Sequence, residues 1–260
     1  MRKITINLAA VAAFCIVVAS PALVSSSCAT PKTEQEDTTI IREDSGITAL
    51  KYSSPEVPAS IEFCGKTIDL SRFDRHERMD RELLAFTYMH STSLQMLKKA
   101  NRYFPIVEPI LKENGIPDDF KYLMVIESNM NPTARSSAGA AGLWQFMQGT
   151  GRDYGLEVNN NVDERYHIEK ATRAACRYLK DAYAKYKDWV AVAASYNAGQ
   201  ARIASQLAKQ DVDDSLDLQL VEETARYVYR ILAAKQLFSA PTTFGFRLRA
   251  SDLYPPIPYT

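Results

Sequence analysis

An all-α domain carrying one short β-hairpin near its start is the architecture this chain predicts. Three observations lead there. From Asp74 onward apolar residues recur at helical spacing, residues 61–70 alternate apolar and polar about Gly65-Lys66, and no internal repeat divides the chain.

The elements follow in order. Arg2 and Lys3, an apolar run from Ile4 to Ala19 and small residues through Ser27 have the layout of a secretory signal peptide, placed at 1–27. The run is short for a bilayer-spanning helix, which needs about 20 apolar residues. Cys28 is a candidate for lipidation, although Ser25 stands where a lipoprotein cleavage site wants an aliphatic residue. Ordinary cleavage between Ala22 and Ala29 is the alternative. Residues 28–60, with E-Q-E-D-T-T and S-S-P-E-V-P, read as a flexible tether.

Residues 61–100 hold the hairpin and an N-terminal helical extension that includes Leu83, Leu84 and Phe86. Helices at 94–103 and 106–113 are expected to be separated by Pro105. Gly115-Ile116-Pro117 then breaks the chain, and Pro117-Asp118 signals the next helix start. Further on, Ile168, Ala171, Ala175, Tyr178, Leu179, Ala182 and Tyr186 form an apolar stripe. Lys170, Arg173, Arg177, Lys180 and Lys185 fall on its outer, solvated face. Trp189–Ala194 is almost wholly apolar and reads as a core helix. A last helix spans about 222–238, and the catalytic unit is placed at 101–240, with a nonhelical tail at 241–260.

Composition narrows the functional classes. The chain has 31 basic and 31 acidic side chains, and setting aside Arg2 and Lys3 leaves 29 against 31. No basic field exists to hold a polyanion, so nucleic acid is not an expected partner. Cys64 and Cys176 admit either a disulfide, in an oxidising compartment, or a buried free thiol at Cys176. His76, His90 and His167 are isolated, and neither a metal nor a cofactor is expected.

The chemistry points to Glu127. Phe120, Leu123, Met124 and Glu127 lie on one helical stripe, and Val125 and Ile126 cover much of the remaining surface. Glu127 is thus an acid in line with apolar residues at a helix C-terminus. Desolvation and the helix dipole both disfavour its ionised form, as a general acid requires. An ion pair with Arg135 or Arg152 is the structural alternative. Downstream, the patch Ala138-Gly139-Ala140-Ala141-Gly142 opens an amphipathic stretch.

Glu127-Ser128, Asn131-Pro132, Ser136, the run G-L-W-Q-F-M at 142–147, T-G-x-x-Y-G-L, S-Y-N-A-G at 195–199 and E-T-A-R-Y-V resemble the motifs of lytic transglycosylases. These are lysozyme-like enzymes that cut bacterial cell-wall glycan. The variant is most similar to the membrane-bound lytic murein transglycosylase D family, over about residues 100–238.

The resemblance implies a lysozyme-like catalytic domain, an exported protein of the periplasm or cell envelope, and peptidoglycan glycan strands as its partner. It also implies one glutamate, Glu127, acting first as acid and then as base towards the muramic acid 6-hydroxyl. The sugar's N-acetyl group assists, and a 1,6-anhydro ring forms in place of attack by water. A hydrolytic muramidase shares fold and glutamate, and a noncatalytic wall-binding module is a rival of another class.

Ser136 matches the family serine that bonds the N-acetyl region; otherwise its hydroxyl satisfies a turn. Gln145 is the polar member of its run, and Phe146 or Met147 could line sugar subsites. Tyr196 and Asn197 are placed at the cleft floor, against a capping role. Tyr227 lies off the stripe of Val221, Ala225, Val228 and Leu232, and the family tyrosine at this place sits against the glutamate; a surface tyrosine is the alternative. Family members often continue into LysM repeats. With this sequence ending at Thr260, wall affinity is expected from the cleft, a lipid anchor or a partner.

Overall fold

A computed structural model of the protein describes residues 54–257. The expected leader, Cys28 and most of the tether lie outside the described residues. No helix among the described residues is long and apolar enough to cross a membrane.

The architecture is helical with one hairpin, as expected. Strands β1 (Ser60–Phe63) and β2 (Lys66–Asp69) pair antiparallel, with Ile61 opposite Ile68. Phe63 and Ile68 are buried, which fixes the register, because a one-residue slip would turn both outward. Eight α-helices follow among the described residues: α1 (Phe73–Tyr88), α2 (His90–Glu113), α3 (Phe120–Ser128), α4 (Gln148–Asp153), α5 (Ile168–Tyr186), α6 (Trp189–Ala198), α7 (Gln200–Lys209) and α8 (Glu222–Ser239). Helix α8 is the centre of the packing. It lies against α1, α3 and α6, while α5 packs on α2 and α6.

The α5 stripe stands as read. Ala171, Ala175, Tyr178, Leu179 and Ala182 are buried, and the five basic residues of the outer face are exposed. Asp119 ties three elements together near the start of α3. Its carboxylate accepts from the Cys64 amide at 2.7 Å and pairs with Lys235 of α8 at 2.7 Å. With that side chain engaged elsewhere, α3 begins on a turn, the Phe120 amide donating to the Pro117 carbonyl, rather than at a side-chain cap.

Two expectations are corrected, and the open alternative at the cysteines is decided. Pro105 does not separate two helices: α2 runs unbroken with Pro105 and Pro109 inside it. An interior proline costs about 3 kcal/mol. One face of α2 buries Tyr103, Ile106, Val107, Ile110 and Leu111, and burial of such a side chain contributes about 1.5–3 kcal/mol. Five buried residues outweigh two prolines.

The disulfide does not form. Cys64 and Cys176 are free thiols, the first half-buried in the hairpin turn and the second buried at the α2–α5 seam, 4.0 Å from the Ile110 carbonyl. Burial raises both thiols, Cys176 to about 11, so neither is a reactive thiolate at neutral pH.

The apolar stripe drawn on the last helix holds at Val228 and Leu232, which are buried, but does not mark the whole buried surface. Val221 precedes α8 and is exposed, whereas Tyr227 is 3 % exposed. A helix packed on three neighbours has no single core face, so an off-stripe position can be interior.

Candidate active site

Glu127 occupies the last turn of α3, which Asn129 ends in the left-handed region at φ 49°. The residue is half-buried, and its Oε1 accepts a hydrogen bond from the Tyr227 hydroxyl of α8. Burial pushes its carboxyl up to about 7. The Tyr227 bond and the positive charge of Arg230 oppose that rise, and the negative charge of Glu223 adds to it. The arginine alternative is overturned. Among the described residues no ion pair involves Glu127, and Arg152 instead donates to the Val158 carbonyl at 2.7 Å. The surface-tyrosine reading of Tyr227 is overturned as well.

Tyr196 stands beside this pair. Its hydroxyl donates to the Trp144 carbonyl at 2.8 Å. Burial, and after it the charge of Glu127, raise both tyrosines well above the ordinary phenol range, so both stay neutral hydroxyls. Glu127 therefore has one neutral donor, the Tyr227 hydroxyl, and no paired cation, a setting that lets it hold or release a proton near neutral pH.

The loop after α3 supplies the rest. It turns twice. Ser136 donates its amide to the Ala140 carbonyl at 2.9 Å, and its hydroxyl accepts from the Ala140 amide at 3.0 Å. Ser136 is exposed and its hydroxyl closes a turn, as the alternative reading had it. The amphipathic stretch after it begins as a tight turn and continues into α4. Leu143 and Trp144 are buried, Gln145 sits at φ 48°, and Ala141 bridges Phe146. The Gln145 amide donates to the carbonyls of Gly142 at 2.7 Å and Ala134 at 3.2 Å, tying the turn to its own base.

Gly142 is required here by close approach. It sits at φ 77°, and a Cβ at this position would lie 1.9 Å from the Arg165 carbonyl oxygen.

Arg165 is the residue that sequence reasoning missed. Only 4 % exposed, it is held by Asp163 and donates to the carbonyls of Gly139 at 2.8 Å and Phe146 at 3.0 Å. One guanidinium thus pins both arms of the loop. The spacing Asp163-x-Arg165 is the local trace of it, and nothing in that spacing names the loop it holds.

Gln145, Phe146, Met147, Tyr196 and Asn197 line one cleft of about 280 Å³, together with Thr150 and Tyr178. Phe146 is buried and meets the Tyr196 ring edge-on at 6.1 Å, while Met147 is exposed at the rim. The Asn197 side-chain oxygen accepts from the Thr224 hydroxyl at 2.8 Å, so α6 is clasped to α8 at this end. Glu127, Tyr227 and Ser136 are not among the residues that line this cleft. A roomier hollow of about 730 Å³ along Pro105, Pro109 and Pro117 holds none of the candidate residues.

Residues 105–217 match the family described as the transglycosylase SLT domain. That bears out the resemblance carried by the motifs. Over 181 residues the chain is 30 % identical to the membrane-bound lytic murein transglycosylase D of Escherichia coli K12, covering 68 % of this chain and 39 % of that protein. It is 29 % identical over 150 residues to the membrane-bound lytic murein transglycosylase C of Haemophilus ducreyi, covering 52 % and 40 % of the two chains. Among solved structures, an inactive mutant of the lytic transglycosylase Slt from Pseudomonas aeruginosa matches 55 % of this chain and 24 % of that one. The identity there is 21 % and the TM-score 0.45. The chain thus spans about two fifths of the length of the curated relatives named here.

Proposed function

We propose that this protein is a peptidoglycan lytic transglycosylase, cleaving the β-1,4 MurNAc–GlcNAc bond without water. The observation that carries the reading is the Glu127 carboxyl, raised to about 7 by burial and bonded to Tyr227, in a chain whose residues 105–217 match the SLT domain. A group that must first give a proton and then take one works best with its pKa near the operating pH.

The Glu127 carboxyl protonates the glycosidic oxygen as the bond to the muramic anomeric carbon breaks. The sugar's own N-acetyl oxygen takes up the positive charge at that carbon. The Glu127 carboxylate then removes the 6-hydroxyl proton as O6 bonds the anomeric carbon, closing the 1,6-anhydro ring and restoring the acid. The Tyr227 hydroxyl orients the carboxyl throughout. Gln145, Phe146, Met147, Tyr196 and Asn197 form the sugar-binding wall, and Ser136 meets the N-acetyl region from the loop. Residues 1–27 act as an export signal and residues 28–60 as a tether. A lipidated Cys28 holds the enzyme at a membrane of the cell envelope.

Mass spectrometry of muropeptides released from purified sacculi tests the reaction. Products lighter by one water than their hydrolytic equivalents are expected. Glu223, an exposed carboxylate whose charge is felt at Glu127, is where a two-carboxylate hydrolysis would find its second group. Reducing-end products lost in Glu223→Gln would establish that alternative, and no release at all would leave a noncatalytic binding module. Palmitate labelling abolished by Cys28→Ser is the expected sign of the anchor.

A further inference from the structure

Beside Glu127 lies a second pocket, of about 250 Å³, that the proposed chemistry does not use. Ile126 and Asn129, which flank Glu127, form one wall. Ala85, Phe86 and Met89 give an apolar side, and Arg226 and Arg230 of α8 a cationic one. Glu82 of α1 lies beneath the guanidiniums, 1 % exposed. Its carboxylate takes Arg226 Nε at 2.6 Å and Arg230 Nε at 3.6 Å.

Both approaches are made through Nε, which leaves the Nη donors of two adjacent guanidiniums to a second acceptor. Arg226 also lines a smaller hollow with Arg78, Arg81 and Glu222, where Arg81 pairs with Glu222. A carboxylate buried under two arginines holds them in one orientation, and pre-set guanidinium forks bind carboxylates bidentately. Apart from Ile126 and Asn129, every lining residue lies outside the span 105–217 that matches the SLT domain, so this pocket is built by α1 and α8.

We propose that this pocket is a subsite for a carboxylate on the short peptide stem of a glycan strand, with Ala85, Phe86 and Met89 receiving the stem's aliphatic side chains. Its place is the reason for choosing a stem over a free anion. A group held between Ile126, Asn129 and Arg230 is within reach of what Glu127 acts on, and the muramic sugar carries its peptide beside the bond that breaks. This reading rests on the proposed function for the identity of the glycan and on the arginine pair for the anion.

The test is binding, so that it stands apart from turnover. Glu127→Gln protein is titrated calorimetrically with a soluble GlcNAc–MurNAc peptide whose stem carboxylates are either free or converted to amides. The free acid should bind about tenfold more tightly, as one charge-assisted contact allows. Adding Arg230→Gln should remove that preference while leaving affinity for the amidated probe nearly unchanged. Arg230→Lys, which keeps the charge but not the fork, should retain part of it and serves if the glutamine variant does not fold. Equal affinity for the two probes, or a preference untouched by both substitutions, overturns the subsite. Inorganic phosphate competing as well as the free-acid peptide would reduce it to a bare anion site and overturn the stem assignment. Absence of product from sacculi would sink the proposed function alone, because the binding preference is read in an inactive protein.

Discussion

Glu82 and Glu127 are two acids packed against the same helix and treated in opposite ways. Glu82 is the more deeply buried, yet it lies among Arg81, Arg226 and Arg230 and serves as the anion of an ion cluster. Glu127 keeps partial exposure, has a tyrosine hydroxyl for its partner, and is raised to about 7. Successive residues of α8 make the difference: Arg226 turns to Glu82 and Tyr227 to Glu127. Partner chemistry, rather than depth, decides whether a buried acid is gripped by cations or has its pKa raised towards neutrality.

The sharpest way to break this contrast is Glu127→Gln. Cleavage should fall by on the order of 10²–10⁴, or more because one group acts twice, while the fold survives. Muropeptide release by the purified variant near the wild-type rate would remove Glu127 from the chemistry.

Stability against pH tests the Glu127 half of the contrast next. A folded pKa above the unfolded value means that the native state binds the extra proton. Glu127 is thus neutral to stability below about pH 4.5 and increasingly costly as pH rises to about 7. With each pKa unit worth about 1.4 kcal/mol, Glu127→Gln should gain up to roughly 3 kcal/mol over wild type above pH 7 and nothing near pH 4. Urea denaturation at the two pH values reads this directly. A gain confined to low pH would reverse the sign and contradict a carboxyl destabilised by burial.

Tyr227→Phe removes one hydroxyl bonded to a titrating group, a loss of about 1.5–3 kcal/mol, or roughly tenfold to a hundredfold in rate. Glycan binding should change far less than turnover at saturating substrate, since orientation of the acid is felt mainly in the transition state. An unchanged rate would leave Tyr227 a packing residue.

Smallest is the effect of Glu82→Gln. Removing one partner of a fully buried pair costs about 3–5 kcal/mol. The side chains of Arg226 and Arg230 are 33 % and 36 % exposed and can turn to solvent, so about 2 kcal/mol is expected, with cleavage of peptide-free glycan retained. Loss of activity equal to that of Glu127→Gln, in a folded protein, would collapse the distinction between the two acids.

How far the chain could be read follows from the range of each cause. Alternation at two residues and recurrence at three and four are set by neighbours in sequence. The hairpin, the α5 stripe, the apolar α6 and the extent of α8 were therefore legible, as was the stripe that put Glu127 in an apolar setting. The motif at 142–147 was legible as a motif but not as a turn, because its shape depends on Arg165 reaching back under it. Only the tertiary structure decided that α2 runs through Pro105, that Tyr227 is interior, that both described cysteines are free, and that Glu82 meets arginines about 140 residues away. Periodicity states which face of an element turns inward. It cannot state what waits there, because the free energy of a buried group depends on the partner the fold supplies.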